Sequence, residues 1–193
     1  MKKSKLTKQL AVGMLSSIAY LLMMLDFPFP GFPPFLQIDF SEVPAIVAAI
    51  VFGPIAGIIV EAIKNILHYL IQGSATGMPV GQLANFVAGT LFILPVSYMF
   101  RKLNNTKGIV IGLIFGTVIM AIIMSILNYY VILPAYTIFL NSPALSGPET
   151  KQLIVSGILP FNFIKGIIVS FVFVAIFMKL KVWLFNQLKY QSA

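Results

Sequence analysis

The sequence of 193 residues has no cysteine and a single histidine. Without cysteine the chain can form no disulfide, use no thiol nucleophile and offer no thiolate to a metal. One histidine supplies too few nitrogen ligands for a typical zinc site. The G-x-x-x-x-G-K-[ST] phosphate loop and the H-E-x-x-H motif are absent too, and no serine has a plausible base nearby. We therefore expect no catalytic residue, no metal and no cofactor, and the sequence argues against both an enzyme and an intrinsic ATPase.

Charge is also scarce, because 9% of the residues are charged whereas 59% are hydrophobic. A soluble fold of this length could not cover so much apolar surface, so the composition predicts an all-α integral membrane protein. The length accommodates six crossings of about 20 residues each. The net charge of +8 comes from cations beside apolar segments. Membrane topology produces that pattern, so we expect the lipid bilayer and not nucleic acid as a partner.

Six apolar segments can be distinguished, and together they predict one membrane domain over residues 1–193. The predicted transmembrane helices cover about 9–25, 42–53, 55–72, 80–100, 108–133 and 152–180. Phe52-Gly53-Pro54 interrupts the second and third helices, and Pro160 predicts a kink or a late start in the last. The first segment follows lysines, as a signal peptide does, but lacks a small-residue cleavage site, so we expect it to remain as a helix.

The distribution of charge predicts the orientation of these helices. The cations form three groups, namely Lys2, Lys3, Lys5 and Lys8; Arg101, Lys102 and Lys107; and Lys179, Lys181 and Lys189. An even number of crossings places all three groups on one side, which the positive-inside rule identifies as the cytoplasm. Four of the five acids lie in or beside the opposite connections, namely Asp26, Asp39, Glu42 and Glu149. The N- and C-termini are therefore expected to be cytoplasmic.

The polar residues of helices 4, 5 and 6 concentrate in the outer halves of these helices. They are Gln82 and Asn85; Ser125, Asn128 and Tyr129; and Asn162 and Lys165. The inner halves are apolar apart from hydroxyl groups, so we expect an outward-facing ligand pocket that is closed on the inside. The stretch 26–40 contains five phenylalanines and four prolines. Such a loop can close over a planar organic molecule with polar edges, or it can lie at the membrane interface.

A polar stripe, Glu61, Lys64, Asn65 and His68, recurs at helical spacing in the third segment. A charge at mid-bilayer costs roughly 2.5–3.5 kcal/mol, so the stripe must face protein, a cavity or a ligand. We expect Glu61 and Lys64 to neutralise each other in a structural role and His68 to lie at the interface. Lys165 has no acid at helical spacing, so a ligand or a distant carboxylate must satisfy it. The asparagines could contact ligand or form interhelical hydrogen bonds.

Four sequence blocks carry a resemblance to a known family. They are D-F-S-E-V-P-A at 39–45, F-G-P at 52–54, E-A-I-K-N-I-L-H at 61–68 and N-F-I-K-G at 162–166. With these blocks the chain resembles, over nearly its whole length, the riboflavin-specific S component of energy-coupling factor (ECF) vitamin transporters. The resemblance implies a multi-pass protein of the bacterial cell membrane that captures riboflavin as a transported ligand. It also implies three partners, a membrane coupling protein and two cytoplasmic ATPase subunits.

The resemblance further implies where ligand and partners bind. The candidate ligand-binding residues are Phe35, Leu36, Asp39, Phe40, Glu42, Asn85, Asn128, Tyr129, Asn162 and Lys165. The family docks its partner through an A-x-x-x-A face on helix 1, which is imperfect here and leaves Ala11, Gly13, Leu15, Ser17 and Ala19 as candidates. Three alternatives stay open: an S component for another vitamin such as thiamine, a stand-alone secondary transporter or channel, and a membrane scaffold without ligand.

Overall fold

The computed structural model describes residues 5–74, 76–141 and 143–192, with side chains as far as Lys181. Lys2 and Lys3 of the basic N-terminal group lie outside these residues. The helices are α1 Lys5–Met23, α2 Glu42–Phe52, α3 Pro54–Gln72, α4 Val80–Leu103, α5 Thr106–Leu127, α6 Leu133–Leu140, α7 Gly147–Leu153 and α8 Leu159–Ser192. Two π-helical segments, Asn128–Ile132 and Ile154–Ile158, join α5 to α6 and α7 to α8. Two short strands, β1 Phe27–Pro28 and β2 Gln37–Ile38, pair antiparallel.

Five helical stretches are long and apolar enough to cross a membrane. They are Lys5–Met23, Pro54–Gln72, Val80–Leu103, Thr106–Leu140 and Gly147–Lys181. α2 provides one further pass, the second in chain order. Its eleven residues span only about 16 Å, whereas the hydrocarbon core of a bilayer is roughly 30 Å thick. Nine of the eleven are buried, so α2 lies inside the bundle and does not face lipid. The predicted all-α membrane fold with six helical passes is confirmed, the second pass being short and enclosed.

The last two passes are longer than predicted, and each continues through a π-helical segment. The Leu133 amide donates to the Asn128 carbonyl five residues earlier, and the Leu159 amide donates to the Ile154 carbonyl. Pro134 and Pro160 each lie two residues after the end of a segment. A proline ring clashes with the carbonyl four residues before it, and the wider π turn makes room for the ring. Pro160 is the second residue of α8, and the helical path continues from the π-helical segment through it because the chain widens just before it.

α4 and α5 pack with their backbones in close contact. A Cβ atom on Gly116 would lie 2.5 Å from the Phe92 carbonyl oxygen, and one on Gly112 would lie 2.5 Å from the Val96 Cα. Only glycine leaves room for this approach, which is the usual structural meaning of a G-x-x-x-G sequence on a membrane helix. The two helices therefore form the tightest backbone contact that bounds the interior.

The two ends of the bundle differ in chemistry. At one end, which we call the loop end, lie the connection 24–41 and the described residues of two further connections, 73–74 with 76–79 and 141 with 143–146. The opposite end holds the turn at Gly53, where φ is +105° and favours glycine, and the Arg101 side chain lies against that turn. Large apolar side chains fill the interior towards that opposite end, including Phe92, Phe100, Phe173 and Phe177. Apart from buried hydroxyl groups such as those of Ser97 and Thr117, the polar interior of the described residues thus lies towards the loop end.

Candidate ligand-binding site

A cavity of about 600 Å³ opens at the loop end, within the range of small-molecule sites. Every pass except α2 contributes to its wall, as does the first connection. The polar and aromatic lining residues are Asp26, Phe35, Gln37, Asp39, His68, Gln72, Ser74, Gln82, Asn85, Asn128, Tyr136, Phe161, Asn162 and Lys165. A cavity with this mixture of aromatic surface and polar groups suits an organic molecule with polar edges.

Lys165 lies at the inner side of the cavity and carries a buried ammonium group. Its Nζ is 3.1 Å from Asp39 Oδ2 and 3.1 Å from Glu42 Oε1. The sequence left a ligand or a distant carboxylate as the partner of Lys165. The structure shows a distant carboxylate, that of Asp39, which is 126 residues away in sequence. An ammonium has three donor positions, and two are directed at these acids. The charge of Lys165 is therefore balanced within the protein, while the residue still faces the cavity.

A second lysine joins the same ion-pair network from α3. Lys64 Nζ is 2.9 Å from Glu61 Oε2 and 3.8 Å from Glu42 Oε1. It also donates to the Ser41 hydroxyl, and the Ser41 hydroxyl and amide both donate to Asp39. The network thus ties the start of α2 to both α3 and α8. Glu61 and Lys64 lie beneath the cavity and do not line it.

The rest of the α3 stripe divides between the network and the cavity. Asn65 donates to the Glu61 carbonyl and to Asn85 Oδ1, and Asn85 lines the cavity. His68, expected at the interface, is half-buried and lines the cavity. Its Nδ1 lies 3.1 Å from Gln82 Nε2, which also donates to the Gly73 carbonyl. His68 is therefore part of the cavity wall, and its position at the membrane interface stays a prediction.

Asn128 and Asn162 present acceptor oxygens to the cavity. The side-chain nitrogen of each donates to the backbone carbonyl four residues earlier, Met124 and Ile158 respectively, at 2.8 Å. Because a backbone carbonyl can only accept a hydrogen bond, each amide must direct its NH₂ group at it, and this contact fixes the orientation of both amides. Each amide oxygen is then left without a partner among the residues that the structure describes, and both residues line the cavity. Asn128 opens the first π-helical segment, and Asn162 follows the second by four residues.

The first connection covers one side of the cavity and has a small hydrophobic core of its own. Leu36 and Ile38 pack with Ile154, Ile158 and Phe161, on the second π-helical segment and α8. Further aromatic contacts extend this cover: the rings of Phe32 and Phe161 are 5.9 Å apart, and those of Phe35 and Tyr136 are 6.2 Å apart. The Phe- and Pro-rich stretch is thus an ordered hairpin folded over the site.

Seven of the ten candidate ligand residues line the cavity, namely Phe35, Leu36, Asp39, Asn85, Asn128, Asn162 and Lys165. The other three do not. Tyr129 packs edge-on against Tyr130 at 4.8 Å, Glu42 lies behind Lys165, and Phe40 is outside the lining. Lining residues missing from the candidates include Asp26, His68, Gln72, Gln82 and Tyr136. Gln82 could have been included as a candidate, because the sequence already places it among the polar residues in the outer half of helix 4.

Asp26 is the lining acid nearest the end of α1, outside the membrane-spanning stretch. Its side chain is partly buried and makes no ion pair with any residue that the structure describes. Burial raises the pKa of the Asp26 carboxyl, and the neighbouring Asp39 raises it further, whereas His68 and Lys165 act in the opposite direction. The carboxyl is therefore partly withdrawn from water at the cavity wall.

The candidate docking residues on α1 fall on two different faces. Ala19 is buried, and Ala11 and Leu15 are half-buried, so this i, i+4 series packs against the bundle. Gly13 and Ser17 are exposed, and a Cβ atom on Gly13 would have nothing within 4 Å. Of the candidate docking residues, Gly13 and Ser17 thus lie on the exposed face of α1.

Comparison of the sequence and the fold with known proteins identifies the family to which the chain belongs. Residues 8–177 match the family model of the substrate-specific component of ECF transporters. The chain belongs to this family. It is 61% identical over 183 residues to the riboflavin transporter FmnP of Bacillus subtilis (strain 168), covering 95% of this chain and 96% of that protein. It is 45% identical over 171 residues to the riboflavin transporter RibU of Staphylococcus aureus (strain TCH60), covering 89% and 88%.

A solved structure of the S component of a bacterial ECF transporter gives the same result. It superposes with a TM-score of 0.80 at 42% identity, covering 94% of this chain and 99% of that one. This S component is accordingly a multi-pass protein of the bacterial cell membrane, and a transport protein rather than an enzyme.

Proposed function

We propose that this S component binds riboflavin in the loop-end cavity and mediates its uptake. The observation that carries the proposal is the cavity itself, whose amide oxygens, ammonium and aromatic rings converge on one space of about 600 Å³. Riboflavin has a flat tricyclic ring with an N–H donor and carbonyl acceptors on one edge, and a polyhydroxyl tail. The names of the two relatives, both riboflavin transporters, support the same ligand.

The chemistry of the cavity wall complements such a molecule. We propose that Asn128 and Asn162 accept hydrogen bonds from the ligand through their unpartnered oxygens, and that Lys165 donates with its remaining N–H. Phe35, Tyr136 and Phe161 offer apolar faces against which a flat ring packs. A buried acceptor left unpaired costs roughly 1–3 kcal/mol. The site therefore favours ligands that supply matching donors.

We further propose that the loop end faces outward and that both termini are cytoplasmic. The basic groups at Arg101, Lys102 and Lys107 flank the opposite end of the bundle, as the positive-inside rule requires of a cytoplasmic face. The phenylalanine-rich interior on that side supports a site that is closed inward. Release would then need work from a separate energising module, which we propose is a membrane coupling protein with two cytoplasmic ATPase subunits. The exposed Gly13 and Ser17 face of α1 is a candidate surface for that contact.

Titration of purified protein with riboflavin tests the binding proposal, because the fluorescence of the ring is quenched when it is enclosed. We expect saturable quenching, and competition by riboflavin analogues but not by thiamine. Asn128→Leu and Asn162→Leu should each weaken binding by about tenfold or more, since each leaves a ligand donor unpaired. Ser125→Ala is the matched control on α5: its hydroxyl donates to the Ala121 carbonyl and it does not line the cavity. Absence of quenching, or preference for thiamine, refutes the assignment.

Uptake into liposomes tests the transport proposal. Vesicles holding this chain alone should bind riboflavin without accumulating it, and uptake should require the ATPases and coupling protein together with ATP. Accumulation by the isolated chain would instead identify a stand-alone secondary transporter or channel.

A further inference from the structure

We propose that a groove on the outer surface of α4 and α5 binds an anionic phospholipid, with an acyl chain in the groove and the phosphate at Arg101. The groove lies apart from the loop-end cavity and shares no lining residue with it. Its occupant is therefore independent of the ligand proposed for that cavity. Three features of the groove support a phospholipid, namely its apolar lining, its cation and the turn against which that cation lies.

The groove has a volume of about 460 Å³ and an almost wholly apolar lining. The apolar lining residues are Leu94, Pro95 and Met99 of α4, Phe115 and Ile119 of α5, and Pro54 of α3. Their side chains are exposed or half-buried, so the groove opens on the outside of the bundle. α4 and α5 both belong to stretches that are long and apolar enough to cross a membrane. The surface between these two helices therefore meets lipid.

Both polar residues of the lining, Tyr98 and Arg101, lie at one end of the groove. They are three residues apart in α4 and so share one face of the helix. Leu94 precedes Arg101 by seven residues, so the groove extends about 10 Å along α4 from the guanidinium into the apolar depth of the bilayer. This layout matches a phospholipid, whose phosphate lies at the membrane surface and whose acyl chains lie below it.

The charge of Arg101 has no partner within the part of the chain that the structure describes. Its side chain is exposed and makes no ion pair there. The five acids of the chain lie elsewhere: Asp39, Glu42 and Glu61 in the ion-pair network, Asp26 at the loop-end cavity and Glu149 on α7. A guanidinium binds phosphate oxygens in pairs, and basic pockets between transmembrane helices bind the head groups of anionic lipids. The bilayer thus supplies the anion that the chain does not.

The turn between α2 and α3 supports the guanidinium of Arg101. A Cβ atom on Gly53 would lie 3.0 Å from Arg101 Nη2, and the φ of +105° at Gly53 favours glycine as well. Pro54 follows directly and lines the groove. The F-G-P block at 52–54, which the loop-end cavity leaves unexplained, therefore forms the head-group end of this groove. A side chain that is already packed loses less freedom on binding than a free one.

Native mass spectrometry of the delipidated full chain in detergent, with equimolar phosphatidylglycerol and phosphatidylcholine added, tests the proposal. The wild type should retain phosphatidylglycerol in preference. Arg101→Gln should lower that preference by about tenfold, since a hydrogen-bonded charge pair is lost. Arg101→Lys keeps the charge without the paired geometry and should give an intermediate value. Lys179→Gln is the matched control, because it removes an exposed cation from α8, outside the groove, and should leave the preference unchanged.

Equal retention of the two lipids by the wild type would indicate non-specific annular lipid and overturns the proposal, as do equal effects of Arg101→Gln and Lys179→Gln. Should Arg101→Gln fail to fold, thermal unfolding of the wild type provides the second measurement. Phosphatidylglycerol should raise the Tm more than phosphatidylcholine does, and high salt should narrow the difference because Arg101 is exposed. Equal shifts overturn the proposal.

Assembly with the coupling protein distinguishes the other occupant of such a groove, a segment of a partner protein. If Arg101→Gln keeps the wild-type lipid preference and loses assembly, the groove is a protein interface and the lipid proposal is overturned. If the lipid preference falls and assembly persists, the groove is a lipid site.

Discussion

Replacing Lys165 with methionine should destabilise the protein by about 3–5 kcal/mol, the usual cost of removing one partner from a buried ion pair. Methionine preserves most of the volume and the apolar stem, so the change isolates the ammonium. Its Nζ contacts Asp39 Oδ2 and Glu42 Oε1, each at 3.1 Å. At an effective dielectric constant of about 20, each contact represents roughly 5 kcal/mol of Coulomb attraction before the loss of hydration is subtracted.

The consequence of the substitution depends on what remains around the two acids. Without Lys165 the buried Asp39 and Glu42 would share a single nearby cation, Lys64, whose Nζ is 3.8 Å from Glu42 Oε1. Neutralising one acid as well should relieve much of that penalty. We therefore expect Asp39→Asn combined with Lys165→Met to be more stable than Lys165→Met alone. The coupling energy should be about 2 kcal/mol, within the range for directly contacting residues.

Reversible unfolding in detergent, followed by circular dichroism, measures all members of this double-mutant cycle. Lys179→Met is the matched control, because Lys179 lies on the same helix and is exposed. Its substitution should change stability by no more than about 0.5 kcal/mol, as is usual for surface positions. Equal effects of the two lysine substitutions would refute the reasoning, as would strict additivity of the Asp39 and Lys165 changes.

Two further predictions concern helix packing and a helix terminus. Gly116→Ala should destabilise the protein by about 2 kcal/mol in the same unfolding assay, because the added methyl group meets the backbone of α4. Gly13→Ala is the control and should be neutral or slightly stabilising, because the space around Gly13 is open. Equal effects of the two substitutions would contradict the close packing of α4 and α5. The Ser146 hydroxyl and amide donate to the Glu149 carboxylate at the start of α7, and the Glu149 amide donates to the Ser146 hydroxyl, so the two residues form a capping box. Ser146→Ala should lower the free energy of unfolding by about 1 kcal/mol in the same assay, and an unchanged value would contradict the cap.

Local spacing was sufficient to predict those features of the fold that depend on neighbouring residues in one helix. The apolar segments predicted the transmembrane helices. The i, i+3 spacing of Glu61 and Lys64 predicted an ion pair, and the structure places the two charged groups 2.9 Å apart. Such pairs are visible in sequence because the helix itself brings them together.

The features that were missed depend on tertiary contact. Lys165 meets Asp39 across 126 residues, and no periodicity within α8 indicates that partner. The π-helical segments were equally invisible, since a π turn differs from an α turn by one residue and not by composition. Asp26 lines the cavity because the first connection folds back over the second π-helical segment and α8, and His68 lines it because the end of α3 faces the same space.

The ion-pair network also determines how the first connection can move. Its last residues, Asp39 to Glu42, are held from two sides by Lys64 and Lys165, whereas the hairpin from Phe27 to Ile38 packs on the other described residues through apolar contacts. Apolar contacts slide and re-form at little cost, but a buried ion pair separates only with a large penalty. We therefore expect the hairpin to move when the cavity opens, while Asp39 to Glu42 stay in place.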